Sequence, residues 1–346
     1  MYKKYVLKKD TPIQHQSFNI KQHGGKVPLS ADKKNVYGVL SNQVLDICAA
    51  ENDNKNVILT NSESQLISHN DLKCAPGKKF ENGSCIPLDM LVEMAEAYNS
   101  ENKNKIVLDN QEQTNNPAKY KKRLIRDFKT RLSGKCDDQM CWLNQKFVNN
   151  LEKGTKTELK KFTLRPEGPE GQFEWLNTIN INEVMAQYEK KYPDFKFFGA
   201  VPIDFDDINV GIAELDFNKL VSKGIHRIGF VFNLDTSKEK GSHWVSAYAH
   251  LTKGQIYFFD SYGIKPDHRI KALMDRIEAA ILPSCGTVDN RSNRVRHQFM
   301  DSECGLYSMN FILRNLNGES FDDICKSKVQ DKIINKCRDV YFTLKE

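Results

Sequence analysis

Apolar positions along the first seventy residues come only in short patches, VYGVL and NVILT, inside a stretch rich in Lys, Asn, Ser and Gln. Such a segment buries too little to offset its chain entropy and reads as loosely ordered over 1–70. Beyond it, Gly and Pro punctuate KCAPGKKFENGSC, and Leu88, Leu91, Val92, Ala95 and Tyr98 then follow at helical spacing. This pattern predicts a cysteine-bracketed loop leading into an amphipathic helix. A polar linker closes at Pro117, after which Leu124, Phe128 and Leu132 share one helical face, with Lys121, Lys122, Arg126 and Lys129 around it. Gly134 is placed to stop that helix, and a short one carrying Trp142 follows.

From about residue 160 aromatic residues and alternating apolar positions become frequent. TININEVMAQYEKK, 178–191, reads as a helix with Asn or Thr at its start. GIHRIGFVFNLD, HWVSAYAHL and QIYFFDSY are closely spaced runs of β-branched and aromatic residues, hence neighbouring strands. Pro266 to Leu282 is a further helix, and CGLYSMNFILRNLNG is another, with Leu306, Met309, Leu313 and Leu316 in register and Gly318 behind. The resulting division is 1–70 loosely ordered, 71–155 a mainly helical extension and 156–346 a core.

Composition changes this picture little. A chain with 39% hydrophobic and 28% charged residues and a formal charge of +6 is that of a soluble protein tilted mildly basic. The N-terminal MYKKYVLKKDTPIQHQSFNI lacks the apolar core of a signal peptide, and no run approaches the ~20 apolar residues that span a bilayer. An intracellular protein without a membrane span, its nine scattered cysteines reduced, is therefore expected. Cys285, Cys325 and Cys337 read as core or surface thiols. Cys74, Cys85, Cys136 and Cys141 have spacings that fit zinc ribbons poorly, so a disulfide or plain burial is the readier reading and no metal is assigned. The basic run Lys119–Lys135 reads first as a solvated helix face and second as a nucleic-acid contact.

Candidate chemistry gathers at the edges of the core elements. His243 opens the strand HWVSAYAHL, Asp260 closes QIYFFD, and Cys304 opens the last long helix. If the two strands are antiparallel neighbours joined by the TKG turn, His243 and Asp260 stand side by side. An imidazolium beside a thiol supplies the charge that a nucleophilic cysteine needs, and a carboxylate on the second nitrogen fixes the ring. A helix N-terminus favours the thiolate as well. Gln298, six positions before Cys304, offers a side-chain amide to an oxyanion alongside the Cys304 backbone N–H. Gly305 leaves room beside a scissile carbonyl, and Asp301 is placed to cap the helix. His250 and His297 are rival bases, one at the far end of its strand and the other beside Gln298.

The combination HW, a carboxylate seventeen residues on, and Q-x5-C-G resembles the cysteine protease superfamily of the SUMO proteases and the adenovirus protease. EWLNTININEVM, 174–185, is similar to the segment that leads into the substrate cleft of the SUMO proteases, with Thr178 in place of the usual acidic residue. The cysteine loop, CDDQMCWL and PEGPEGQFEWL resemble the extended proteases of large cytoplasmic DNA viruses, among them African swine fever virus and giant viruses. This resemblance implies an α+β fold, a central mixed sheet flanked by helices, with a helical N-terminal extension. It implies catalytic His243, Asp260, Gln298 and Cys304, substrate contacts at Trp175, Asn177, Trp244 and Gly305, and no cofactor. Implied partners are capsid or core polyprotein precursors, cleaved after Gly-Gly in the host cytoplasm and virion. Alternatives in the same scaffold are deconjugation of a ubiquitin-like modifier and, in another class, acetyl transfer through the cysteine.

Overall fold

The computed structural model describes residues 33–35, 42–49, 58–60 and 67–343. Most of the segment read as loosely ordered lies outside them. Inside them, helix α1 (Asn42–Ile47) buries Val44 and Leu45, and Cys48 behind it is bonded to Cys337. Two short strands, β1 (Lys33–Asn35) and β2 (Ile58–Thr60), pair antiparallel.

Residues 88–162 fold as helices α2 (Leu88–Glu101), α3 (Asn110–Asn115), α4 (Pro117–Leu132), α5 (Gln139–Leu143) and α6 (Lys153–Phe162). The apolar faces expected of α2 and α4 meet: Leu91 and Tyr98 bury with Leu124, Phe128 and Leu132. Phe128 stacks on Trp142 at 5.5 Å, and Tyr98 meets the edge of Phe147 at 5.5 Å. The stretch read as a polar linker instead carries α3, whose N-cap Asp109 accepts from the backbone N–H groups of Gln111 and Glu112. Leu159 of α6 and Leu164 belong to the same cluster. The basic run is not simply a solvated face. Lys121 is buried and donates to the carbonyl of Ser84 at 3.0 Å, while Arg123 pairs with Glu112 at 2.7 Å and Asp127 at 3.3 Å.

After α7 (Thr178–Lys191) comes a five-stranded sheet in the order β3 (Phe195–Pro202), β4 (Arg227–Asn233), β5 (Trp244–His250), β6 (Gln255–Phe259) and β7 (Asp289–Ser292). The two outer pairs are parallel and the inner ones antiparallel, so the sheet is mixed. Period-two alternation sorts the side chains between two layers. Phe230, Phe232, Val245, Ala247, Ile256 and Phe258 face helices α8 (Phe217–Ser222) and α9 (His268–Cys285). Val231, Tyr248, Tyr257 and Phe259 face α7 and α10 (Cys304–Leu316). Helix α9 continues through Pro283, past the end that its apolar spacing predicted. Every residue of α10 is buried, because β5 lies on one side and the closing helices α11 (Phe321–Lys326), α12 (Asp331–Asn335) and α13 (Arg338–Tyr341) wrap the rest.

Cysteine usage departs from the all-reduced expectation. Disulfides join Cys48 to Cys337, Cys74 to Cys85 and Cys136 to Cys141, leaving Cys285, Cys304 and Cys325 as thiols among the described residues. The four cysteines considered for zinc are thus used up as two local bridges, and Cys337 is not a thiol. Among the described residues no helix is long and apolar enough to cross a membrane.

Candidate active site

The β5–β6 ladder runs from His250↔Gln255 to Ser246↔Phe259. Continued past that last pair, the register sets His243 opposite Tyr262. The rings stack, 4.5 Å between centroids and 19° between planes. His243 Nε2 lies 2.7 Å from Asp260 Oδ1, so the other ring nitrogen, Nδ1, is left for a second partner, and the Cys304 thiol is near enough to act on the imidazole. His243, Asp260 and Cys304 are all at least nine-tenths buried. Burial alone would push the His243 pKa down, but the hydrogen bond to Asp260 and the influence of the neighbouring Cys304 outweigh it and hold the imidazolium up to about 9.

Asp260 is fixed from several sides. Its Oδ1 accepts from the N–H of Tyr262 at 2.9 Å and its Oδ2 from the N–H of Ile264 at 3.2 Å. Asn293 grips its backbone twice, accepting from the Asp260 N–H and donating to the Asp260 carbonyl, each at 2.9 Å. Gly263, at φ +72, makes the turn possible, because a Cβ there would stand 2.9 Å from the backbone of Val295. Tyr262 and Asn293 were not singled out in the sequence, since an aromatic and an amide beyond a strand carry no local signal of this role.

Gln298 is fully buried. Its Oε1 accepts from Ser261 Oγ at 2.6 Å, and its Nε2 donates to the carbonyl of Met300 at 2.7 Å. The Met300 carbonyl can only accept, which settles the amide's orientation and leaves the second Nε2 hydrogen for another acceptor.

Cys304 is the first residue of α10, with Glu303 at the N-cap position. The expected cap by Asp301 is absent: that residue is exposed, and the buried Glu303 carboxylate instead accepts from the Ser302 N–H at 3.0 Å and from Asn335 Nδ2 at 3.0 Å. Gly305 does not leave open space either. A Cβ there would come 3.0 Å from Leu176 Cβ, so the glycine lets Leu176 seat directly on the start of the helix. Trp244 Nε1 donates to the Leu176 carbonyl at 2.8 Å and holds that segment in place.

A groove of about 490 Å³ opens beside Leu176 and Trp244, lined also by Trp175, Asn177, Pro202 and Asn233. Trp175 is 46% exposed at its lip. Asn177 lines the groove as the cap of α7, sharing reciprocal hydrogen bonds with Asn180 at 3.0 and 3.1 Å. The rival bases are elsewhere or engaged. His250 is at the opposite end of β5, pushed down to about 4 by burial and then by Lys253 and Arg227. His297 is buried with Nε2 3.2 Å from the Cys325 carbonyl and is likewise pushed down to about 4 by burial.

A buried thiol beside an imidazole that a carboxylate orients is suited to nucleophilic attack on a carbonyl followed by protonation of the leaving group. Known proteins agree. Residues 229–345 match the Ulp1 protease family, C-terminal catalytic domain. A putative thiol protease of Acanthamoeba polyphaga mimivirus is 37% identical over 288 residues, covering 78% of this chain and 92% of that protein. A cysteine protease of African swine fever virus is 24% identical over 228 residues, covering 60% of this chain and 84% of that one. The crystal structure of an African swine fever virus protease superposes with a TM-score of 0.55 at 22% identity, covering 70% of this chain and 94% of that chain, which supports the fold. The chain belongs to the Ulp1 protease family and is a cysteine protease with viral relatives.

Proposed function

We propose that this protease cleaves structural polyprotein precursors of a large DNA virus, after Gly-Gly, with Cys304 as nucleophile. The reading rests above all on one relationship: the His243 imidazole is held between Asp260 and Cys304 with its pKa up at about 9. Cys304 Sγ attacks the scissile carbonyl carbon, and the resulting oxyanion takes hydrogen bonds from the Cys304 backbone N–H and the free hydrogen of Gln298 Nε2. As the C–N bond breaks, His243 gives its proton to the departing amine. The thioester then loses its acyl group to a water that His243 deprotonates, and Cys304 is regenerated.

The Trp175–Trp244 groove is assigned to the acyl half of the substrate, with Leu176 and Asn177 along it. Residues 71–155 are assigned as an extension that adds substrate-binding surface to the core, anchored by the buried Lys73 on Asp339. Mass spectrometry of capsid precursors incubated with wild-type or Cys304→Ala enzyme tests the proposal. Cleavage after Gly-Gly by the wild type alone is expected, and intact precursors with both would overturn it. Modifier deconjugation is the second reading, favoured by African swine fever virus relatives named SUMO-1 cysteine proteases. A modifier-linked fluorophore compared with a Gly-Gly peptide decides between them.

A further inference from the structure

Among the described residues nine large hydrophobic side chains are exposed, and six of them fall in two groups beside the site. The first lies along the chain around the groove residue Trp175, with Phe173 just before it and Ile179 just after. The second is Ile264, Phe299 and Met300, exposed by 59%, 66% and 43%. Its side chains have no part in the mechanism above, although the Met300 carbonyl orients Gln298 and the Ile264 N–H holds Asp260.

The second group sits on two loops that touch and are both rigidly held. The 262–264 turn packs its Gly263 against the backbone of Arg294–Arg296. The 296–300 loop is pinned by the buried Asp331, whose Oδ2 accepts from the N–H groups of Phe299 and Met300 at 2.9 and 3.1 Å. Arg296 Nε donates to the Gln298 carbonyl at 2.7 Å. Its guanidinium lies over two rings, 5.1 Å from the Tyr262 centroid and 4.7 Å from that of Phe299. Tyr262 in turn stacks on His243. A continuous stack therefore runs His243, Tyr262, Arg296, Phe299, from the general base out to an exposed aromatic. Apolar side chains left facing water on a backbone that hydrogen bonds hold in place are what a binding surface looks like.

Direction follows from the chemistry. The acyl half of a substrate stays bonded to Cys304, and the groove beside Leu176 and Trp244 is there to hold it. The amine half leaves with the proton of His243, and the stack on that imidazole leads to Phe299. Resting on the assignment of Cys304 and His243 given above, the geometry points to Ile264, Phe299 and Met300 as a leaving-group-side subsite that takes a large aliphatic or aromatic side chain within the first few residues after the cleaved bond. The enzyme reads sequence on both sides of the bond.

Internally quenched peptides spanning the bond, with Leu, Phe or Ser after it, are compared with a peptidyl-aminomethylcoumarin that has no residue there. The full chain is expected to favour Leu or Phe over Ser at least tenfold in kcat/KM. In the Phe299→Ser/Met300→Ser double variant that ratio falls toward one, and the Leu peptide loses at least tenfold more rate than the coumarin substrate does. Ile264→Ser, on the other loop, gives the same direction of change. A wild-type enzyme indifferent to the residues after the bond, or variants that lose equal rate on both substrate types, would overturn the subsite. Cleavage by Cys304→Ala would instead overturn the nucleophile assignment, and the direction drawn from it.

Discussion

Asp260 meets His243 with the oxygen that also accepts the Tyr262 backbone N–H, and holds Ile264 N–H with the other. The carboxylate therefore fixes the base and the turn beneath it together. In Asp260→Asn one oxygen can still serve His243 and Tyr262, but the amide nitrogen then faces the Ile264 N–H, donor against donor. We expect kcat to fall about 10- to 100-fold, less than the 10²- to 10⁴-fold typical of losing a general base as in His243→Ala. Equal losses in the two variants would show that Asp260 does more than orient.

The same pair sets a pH signature. The His243 pKa is raised from its ordinary 6.5 to about 9, so its stabilising contribution is complete below 6.5 and is lost as pH rises through 9. The basic limb of kcat/KM is expected near 9, and in Asp260→Asn, with one raising influence gone, it moves toward neutrality. The thermal midpoint of the wild type should fall over the same window, more than that of His243→Ala. A limb that does not move on Asp260→Asn contradicts the assignment.

Gln298 predicts a separable effect. Its amide is oriented by Ser261 and Met300, so under the proposed mechanism Gln298→Ala removes an oxyanion donor and Ser261→Ala loosens it. For Gln298→Ala the loss is expected in kcat, roughly 10²- to 10³-fold, with KM little changed. Ser261→Ala gives a smaller loss of the same kind. A rise in KM alone would move Gln298 into substrate binding.

What the sequence made legible follows the range of the interactions. The β5–β6 hairpin and α10 carry their own patterns, so the side-by-side placement of His243 and Asp260 could be read from alternation and a short turn. Strand β7, DNRS, lies at the sheet edge with every residue half-buried and has no apolar alternation to read. In β3 the register shifts between Phe197 and Ala200, where Gly199 takes φ +98, and this interrupts the period of two. Asn293 and Arg338 matter through partners far along the chain, and a bond between Cys48 and Cys337, 289 residues apart, leaves no local trace.

That disulfide ties α1 to α13 across the start of the chain and its end. Tyr341 donates to the Cys48 carbonyl at 2.9 Å, and Asn310 of α10 donates to the Ile47 carbonyl at 2.6 Å. Cys48→Ser is expected to destabilise the protein by about 2–4 kcal/mol. The denaturation midpoint measured with and without reductant checks this: the reductant should lower the wild type more than the variant. Equal shifts would show that the other bridges carry the effect.

Arg338, next to that bridge, supplies the last prediction. It is 4% exposed, and its guanidinium donates to the carbonyls of Glu174 at 2.5 Å and Ser302 at 3.3 Å. Those carbonyls belong to the residue before Trp175 and to the second residue before Cys304, so one planar side chain joins the groove wall to the segment that carries Cys304. Both bonds leave from one nitrogen, Nη2, in directions that the rigid guanidinium plane fixes; a lysine ammonium lacks that plane and a methionine makes neither bond. Arg338→Met should cost roughly 2–3 kcal/mol, because two carbonyls lose a charged donor. Arg338→Lys is expected to fold, to lose about tenfold in kcat/KM, and to alkylate more slowly at Cys304 with iodoacetamide at fixed pH. A merely structural role would lower the thermal midpoint and leave the alkylation rate of the folded enzyme unaltered, so that rate decides whether Arg338 positions the nucleophile.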